Sequence, residues 1–160
     1  MEDIFSFKKI KKAPQGKTII VDSREKNSLV LSYLYEKNAN VKKEKLEVGD
    51  YQIGDLIIER KTLSDFIHSI KTNRLKEQIK SLMQYEKRII MLEKNPLEKI
   101  YSNIHPNTLN GTIIALTLYH KIPIIQTTSE SHTAQMLLQI ANSEIKERTL
   151  QTKKIGIAHV

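Results

Sequence analysis

Three carboxylates stand where short apolar runs stop. Asp22 ends Thr18-Ile-Ile-Val21, Asp50 follows a glycine in Val48-Gly-Asp-Tyr51, and Glu59 ends Leu56-Ile-Ile58. Strand ends in α/β sheets are where ligands gather. Three carboxylates about 5 Å apart would repel one another by roughly 3 kcal/mol per pair at an effective dielectric of about 20. Such a cluster persists only with protons, a basic neighbour or a metal to offset it. An all-oxygen ligand set suits Mg²⁺ or Mn²⁺. Arg60 and Lys61 follow Glu59 directly. Along a strand, residues 59 and 61 share a face while 60 points away. Glu59 and Lys61 can then meet one phosphate, the acid through a metal and the lysine directly. Metal-assisted phosphodiester hydrolysis uses that pairing: the metal polarises the phosphate, and the lysine neutralises developing charge or orients the nucleophile. A solvated Glu–Lys pair at a strand end has the same sequence and little energetic worth. Glu-x-Lys alone decides nothing.

The whole chain favours an anionic partner. Its 160 residues carry 26 basic and 18 acidic side chains, a net charge of +8. For a basic domain, nucleic acid is the leading candidate. Only five of the 26 are arginines. Lysine meets phosphate as a point charge, so backbone contact is expected over base reading. With no cysteine, disulfide frameworks, thiolate zinc sites and cysteine nucleophiles are excluded. The first residues lack the apolar stretch of a signal peptide. No run approaches the roughly 20 apolar residues of a membrane span. An intracellular setting, cytoplasm or nucleoid, is expected.

The elements that must position these groups alternate. Apolar strands are expected at 18–21, 56–58, 88–92 and 122–125, and a polar strand from Val41 to Val48. Gly49 and Gly54 bracket a turn before 56–58. Helical spacing marks 28–37, 63–70, 74–86, 107–120 and 130–148. His105-Pro106-Asn107 is expected to stage a helix start, and Tyr51 to pack rather than stack on DNA. His68, His105, His120 and His132 share no zinc-like spacing. Arg74, Lys76 and Lys80 lie on the helices after the acids, a solvated face where phosphate contact stays open. The pattern predicts an α/β protein, one mixed sheet with helices on both faces. A basic arm is expected over 1–16, the domain over 17–150 and a tail over 151–160.

Taken together, the motifs resemble the nuclease domain of the XPF/Hef structure-specific DNA endonucleases, in its archaeal form. That signature is Gly-Asp, a gap, Glu-Arg-Lys, three residues, Asp. It stands here as Gly49-Asp50, Glu59-Arg60-Lys61 and Asp65, with Val21-Asp-Ser-Arg-Glu25 upstream. Asn103-Ile-His-Pro-Asn107 and Ile122-Pro-Ile-Ile-Gln126 add to the likeness, which covers about 17–150. The resemblance implies a restriction-endonuclease-like mixed sheet and hydrolysis of branched, fork or 3′-flap DNA with Mg²⁺ or Mn²⁺. It implies Asp22, Asp50 and Glu59 as metal ligands, Lys61 as catalytic lysine and Arg60 as a further basic group of the site. Arg24, Glu25 and Asp65 match secondary positions.

Members of that family usually carry a tandem helix-hairpin-helix DNA-binding domain, for which residues 149–160 leave no room. A separate subunit, or a partial chain, is one explanation. Leu109, Ile113, Ile114, Leu116 and Leu118 surround more than one helix face. A doubly buried helix would account for this pattern; the resemblance implies instead a homodimer or heterodimer through 107–148. The rival reading is a non-catalytic DNA-binding partner subunit. Loss of an acid or the lysine would favour it, and this chain keeps them all.

Overall fold

The computed structural model describes residues 12–25 and 28–143. Much of the basic arm, the tail and the end of the last expected helix lie outside these residues. In chain order the elements are β1 (Gln15–Asp22), α1 (Val30–Glu36), β2 (Ala39–Glu44), β3 (Tyr51–Ile53), β4 (Leu56–Thr62), α2 (Leu63–Lys71) and α3 (Leu75–Leu82). There follow β5 (Arg88–Glu93), α4 (Pro106–Ile114) with a π-helical turn over Ala115–Tyr119, β6 (Ile124–Thr127) and α5 (Glu130–Asn142).

The six strands form one sheet in the order β2-β1-β3-β4-β5-β6. Pairing is parallel for β1–β2, β4–β5 and β5–β6, and antiparallel on both sides of β3. Five strands therefore run one way and β3 alone runs back. This is the mixed α/β sheet expected. Alternation along the strands splits the core into two layers. Ile19, Val21, Tyr51, Ile58 and Met91 pack with α1 and α5. Ile57, Ile90 and Leu92 pack with Phe66, Leu75, Ile79 and Leu116 from the other helices. Among the described residues no helix is long and apolar enough to cross a membrane.

Several boundaries differ from expectation. Residues 51–53, read as part of a turn, form the strand β3, and the turn shrinks to Gly54-Asp55. The polar strand starts and stops earlier, at Ala39–Glu44, leaving 45–48 to lead back to β3. The helix expected through 120 is α-helical only to Ile114. Local signals at helix starts fared better. His105 caps α4, its Nδ1 accepting from Asn107 N at 3.1 Å, with Pro106 in the first turn. Thr62 and Ser129 cap α2 and α5 through side-chain oxygens. These caps satisfy N–H groups that the helix leaves free.

Candidate active site

The sheet direction assembles the acids. β1, β4 and β5 run the same way, so Asp22, Glu59 and Glu93 arrive near one end of the sheet. Because β3 runs back, Asp50 just before it arrives at that same end. Backbone hydrogen bonds fix the approach: Asp22 N donates to Asp50 O at 2.8 Å, and Asp50 N donates to Ile58 O at 2.9 Å. Gly49 makes this possible. It has φ +80°, and a Cβ there would lie 2.6 Å from Ile57 Cγ2 and 3.1 Å from Ile58 O. A residue with a side chain would be strained in conformation and would collide with β4.

The alternation along β4 divides Glu59-Arg60-Lys61 between two environments. Glu59 and Lys61 share a face, with Lys61 Nζ 3.5 Å from Glu59 Oε1 and the lysine side chain only 7% exposed. Arg60 turns to the α5 side. Its Nε and Nη2 meet Glu93 Oε1 and Oε2 at 3.1 and 2.7 Å, and Nη1 reaches Glu25 at 3.4 Å. Thr133 Oγ1, on α5, donates to Glu93 Oε1 at 2.7 Å and sits 2.7 Å from Thr127 Oγ1. The backbone N of Arg60 also donates to Asp50 Oδ2 at 2.8 Å. Arg60 thus braces the site from beneath, and Lys61 is the cation beside Glu59.

Electrostatics single out the inner carboxyls. Burial and the Asp50 charge push Glu25 up to about 7. Burial and the Glu59 charge raise Asp50 to about 6, against the opposing hydrogen bond from Arg60 N. Burial raises Glu59 as well, although Lys61 pulls it back. Arg60 Nη1 opposes the rise at Glu25 but does not cancel it. For Arg60, burial acts downward but is outweighed by the bonds to Glu93.

Asp22, expected as a third ligand, has both oxygens engaged locally. Oδ1 accepts from Leu46 N at 3.0 Å and Oδ2 from Arg24 Nε at 3.0 Å. Arg24 also donates to Leu46 O at 2.6 Å, which makes it a clasp between β1 and the 45–48 segment. Asp65 is exposed in the first turn of α2 and makes no bond to the inner acids among the described residues. Glu93 is the buried group that the reading of the sequence passed over. It closes the apolar run 88–92 as Asp22 and Glu59 close theirs, so the same rule would have found it.

By donor chemistry the site fits a hard divalent cation. Its free donors are carboxylate oxygens, and burial makes Asp50 and Glu59 resist ionisation even with Lys61 close by. The fit rests on two acids, since among the described residues no three His, Cys, Asp or Glu side chains converge as a metal-holding group. Asp22 could join only through lone pairs that Arg24 and Leu46 leave free.

Comparison with known proteins identifies the family. Residues 21–140 match the sequence profile of the ERCC4 domain. The chain is 42% identical over 140 residues to the putative ATP-dependent RNA helicase MJ1505 of Methanocaldococcus jannaschii, covering 86% of this chain and 17% of that protein. It is 30% identical over 127 residues to the 3′-flap repair endonuclease Xpf of Saccharolobus solfataricus, covering 77% of this chain and 54% of that one. The chain therefore spans only a part of each of these relatives. XPF from Aeropyrum pernix, solved in complex with DNA, superposes with a TM-score of 0.72 at 34% identity, over 78% of this chain and 63% of that chain.

Proposed function

Since the chain belongs to the ERCC4-domain family, we propose that it is the nuclease domain of a structure-specific DNA endonuclease, dependent on Mg²⁺ or Mn²⁺. Its substrates are branched, fork or 3′-flap DNA, cut near the junction of duplex and single strand. The observation that carries this reading is the pair Glu59 and Lys61 on one strand face, 3.5 Å apart, beside the buried carboxyl of Asp50. The net charge of +8 suits the phosphate backbone.

Asp50 and Glu59 would hold the cation, with Asp22 as an outer ligand. The bound ion supplies Lewis-acid polarisation of the scissile phosphate. Lys61 places its ammonium against charge that develops on the phosphate, and its burial strengthens that interaction relative to water. The Arg60–Glu93–Thr133 network keeps the end of β4 from shifting, which fixes Glu59 and Lys61 relative to Asp50. Glu25 accepts from Arg60 Nη1 at 3.4 Å and so belongs to the same brace. Asp65 stands outside this group.

The reading extends to assembly. Ile114, Leu118 and Tyr119 are 50%, 65% and 78% exposed along one stretch of chain. Such a patch is costly in a monomer, and a homodimer or heterodimer through 107–148 would cover it. A helix-hairpin-helix module, from a separate subunit or a longer form of this chain, would add DNA affinity.

The test is incision of labelled flap, fork and linear duplex DNA with Mg²⁺, Mn²⁺ or chelator. Metal-dependent cutting of the branched substrates is expected, lost in Asp50→Asn. In Lys61→Ala a loss of about 10²–10³ in rate is expected, with DNA affinity little changed. No incision on any substrate would favour the non-catalytic partner subunit. A wild-type rate in Lys61→Ala would remove the lysine from the mechanism.

A further inference from the structure

Beyond Glu59, Lys61 also lines a separate pocket of about 210 Å³ between α2 and α3, together with Asp65, His68, Ser69, Arg74 and Gln78. Every side chain in it is polar, which is unusual for a crevice between two amphipathic helices. Their bonds are incomplete. Ser69 Oγ donates to Phe66 O at 2.7 Å, so its lone pairs remain available. Gln78 Oε1 is buried without a hydrogen-bond partner. Among the described residues the ion pairs include neither Asp65 nor Arg74. A buried acceptor left unpaired is expensive enough to need a reason.

The charges decide what the pocket would take. Lys61 and Arg74 outweigh Asp65, and His68 adds a ring N–H, so donors exceed acceptors and the sign favours an anion. A divalent cation would find two fixed positive charges opposing it. Gln78 stands one helical turn beyond Arg74 on α3, the spacing that brings side chains together. Its carbonyl oxygen can accept from the guanidinium and hold that fork toward the pocket. Lys61 lines both the pocket and the acid site, so an anion here would lie beside the reacting phosphate.

We propose that the α2–α3 pocket binds a second backbone phosphate of the DNA, next to the one at Glu59 and Lys61, with Arg74 as its principal ligand and Gln78 as the residue that positions Arg74. The proposal rests on the nuclease reading for the identity of the neighbouring phosphate. Its role is to fix the register of the strand.

The test separates the two. Binding of a fluorescent fork oligonucleotide to the full chain is followed by anisotropy across a KCl series, with chelator present so that no cleavage occurs. Arg74 is exposed, so Arg74→Ala should fold. It should weaken binding several-fold and reduce the salt slope by about 1. Gln78→Glu, nearly isosteric, should weaken binding because it adds negative charge beside the phosphate. Lys87→Ala serves as control. Lys87 lies at the other end of the sheet, paired with Asp55 at 3.1 Å, and its loss should leave the slope unchanged. A slope in Arg74→Ala equal to wild type would overturn the proposal, as would tighter Mn²⁺ binding by Gln78→Glu in calorimetry. Absence of incision by the wild type would sink the nuclease reading alone, because the slope is measured without metal.

Discussion

Replacing Glu25 by Gln should make the metal-free protein less sensitive to pH. A carboxyl whose folded pKa lies above its unfolded value keeps its proton in the folded state, so deprotonation favours unfolding. For Glu25 that penalty is absent below about 4.5, grows as pH rises, and is complete above about 7. A rise from 4.5 to about 7 corresponds to roughly 3 kcal/mol. The side chain is 16% exposed, and solvent screening brings the expected value to about 1.5–2 kcal/mol. Asp50, raised to about 6 by burial and the Glu59 charge, works in the same direction. Urea unfolding at pH 5, 6, 7 and 8, with chelator and fixed ionic strength, measures the effect. Wild type should lose about 1.5–2 kcal/mol across this range. Glu25→Gln, which keeps an acceptor for Arg60 but does not titrate, should lose less than half as much. Mg²⁺ should restore stability at pH 8, where the acids are ionised, more than at pH 5. Wild-type stability that is flat or rising between pH 5 and 8 would refute the reasoning, as would an equal fall in the variant.

Arg60→Ala should destabilise by about 3 kcal/mol or more, because it leaves the buried Glu93 carboxylate with no opposing charge. Thermal or urea melts beside Lys61→Ala, expected to be far milder, would reveal the difference. Gly49→Ala should cost more than Gly54→Ala. Both have positive φ, but only at Gly49 does a Cβ meet other atoms, whereas at Gly54 nothing lies within 4 Å. Parallel melts of the two variants decide this. Leu118→Glu should convert a dimer to monomers in sedimentation without loss of fold, since Leu118 is 65% exposed. Leu116→Glu should unfold the protein, since Leu116 is 3% exposed in the core.

The sequence carried the site's location better than its division of labour. An acid at the end of an apolar run is a local signal, and it led to Asp22, Glu59 and, had it been applied again, Glu93. Strand alternation turned Arg60 away from Glu59 and Lys61, as the structure does. What it could not provide was a partner for Arg60, because Glu93 is 33 residues away and meets it only through the pairing of β4 with β5. Nor could spacing reveal that Asp22 would be occupied by Leu46 and Arg24. β3 escaped notice for a physical reason. Four residues between two glycines look like turn, and only pairing on both sides makes three of them a strand. Tyr51, expected to pack, is fully buried in that strand.

The two outer strands of the sheet differ in how they meet other chains. β2 carries Lys42 and Lys43, both exposed. Charged lysines on an unpaired edge discourage accidental strand addition. β6 reads Ile-Ile-Gln-Thr without a charge, and Pro123 before it removes one donor at its start. Its defence is brevity and that single proline. Among the described residues, growth of this sheet by another polypeptide is therefore directional: discouraged beside β2 and open beside β6. Partial unfolding that frees β6 before β2 would produce aggregates joined through the β6 side. A lysine in place of Gln126 would be the economical way to keep this protein soluble at high concentration.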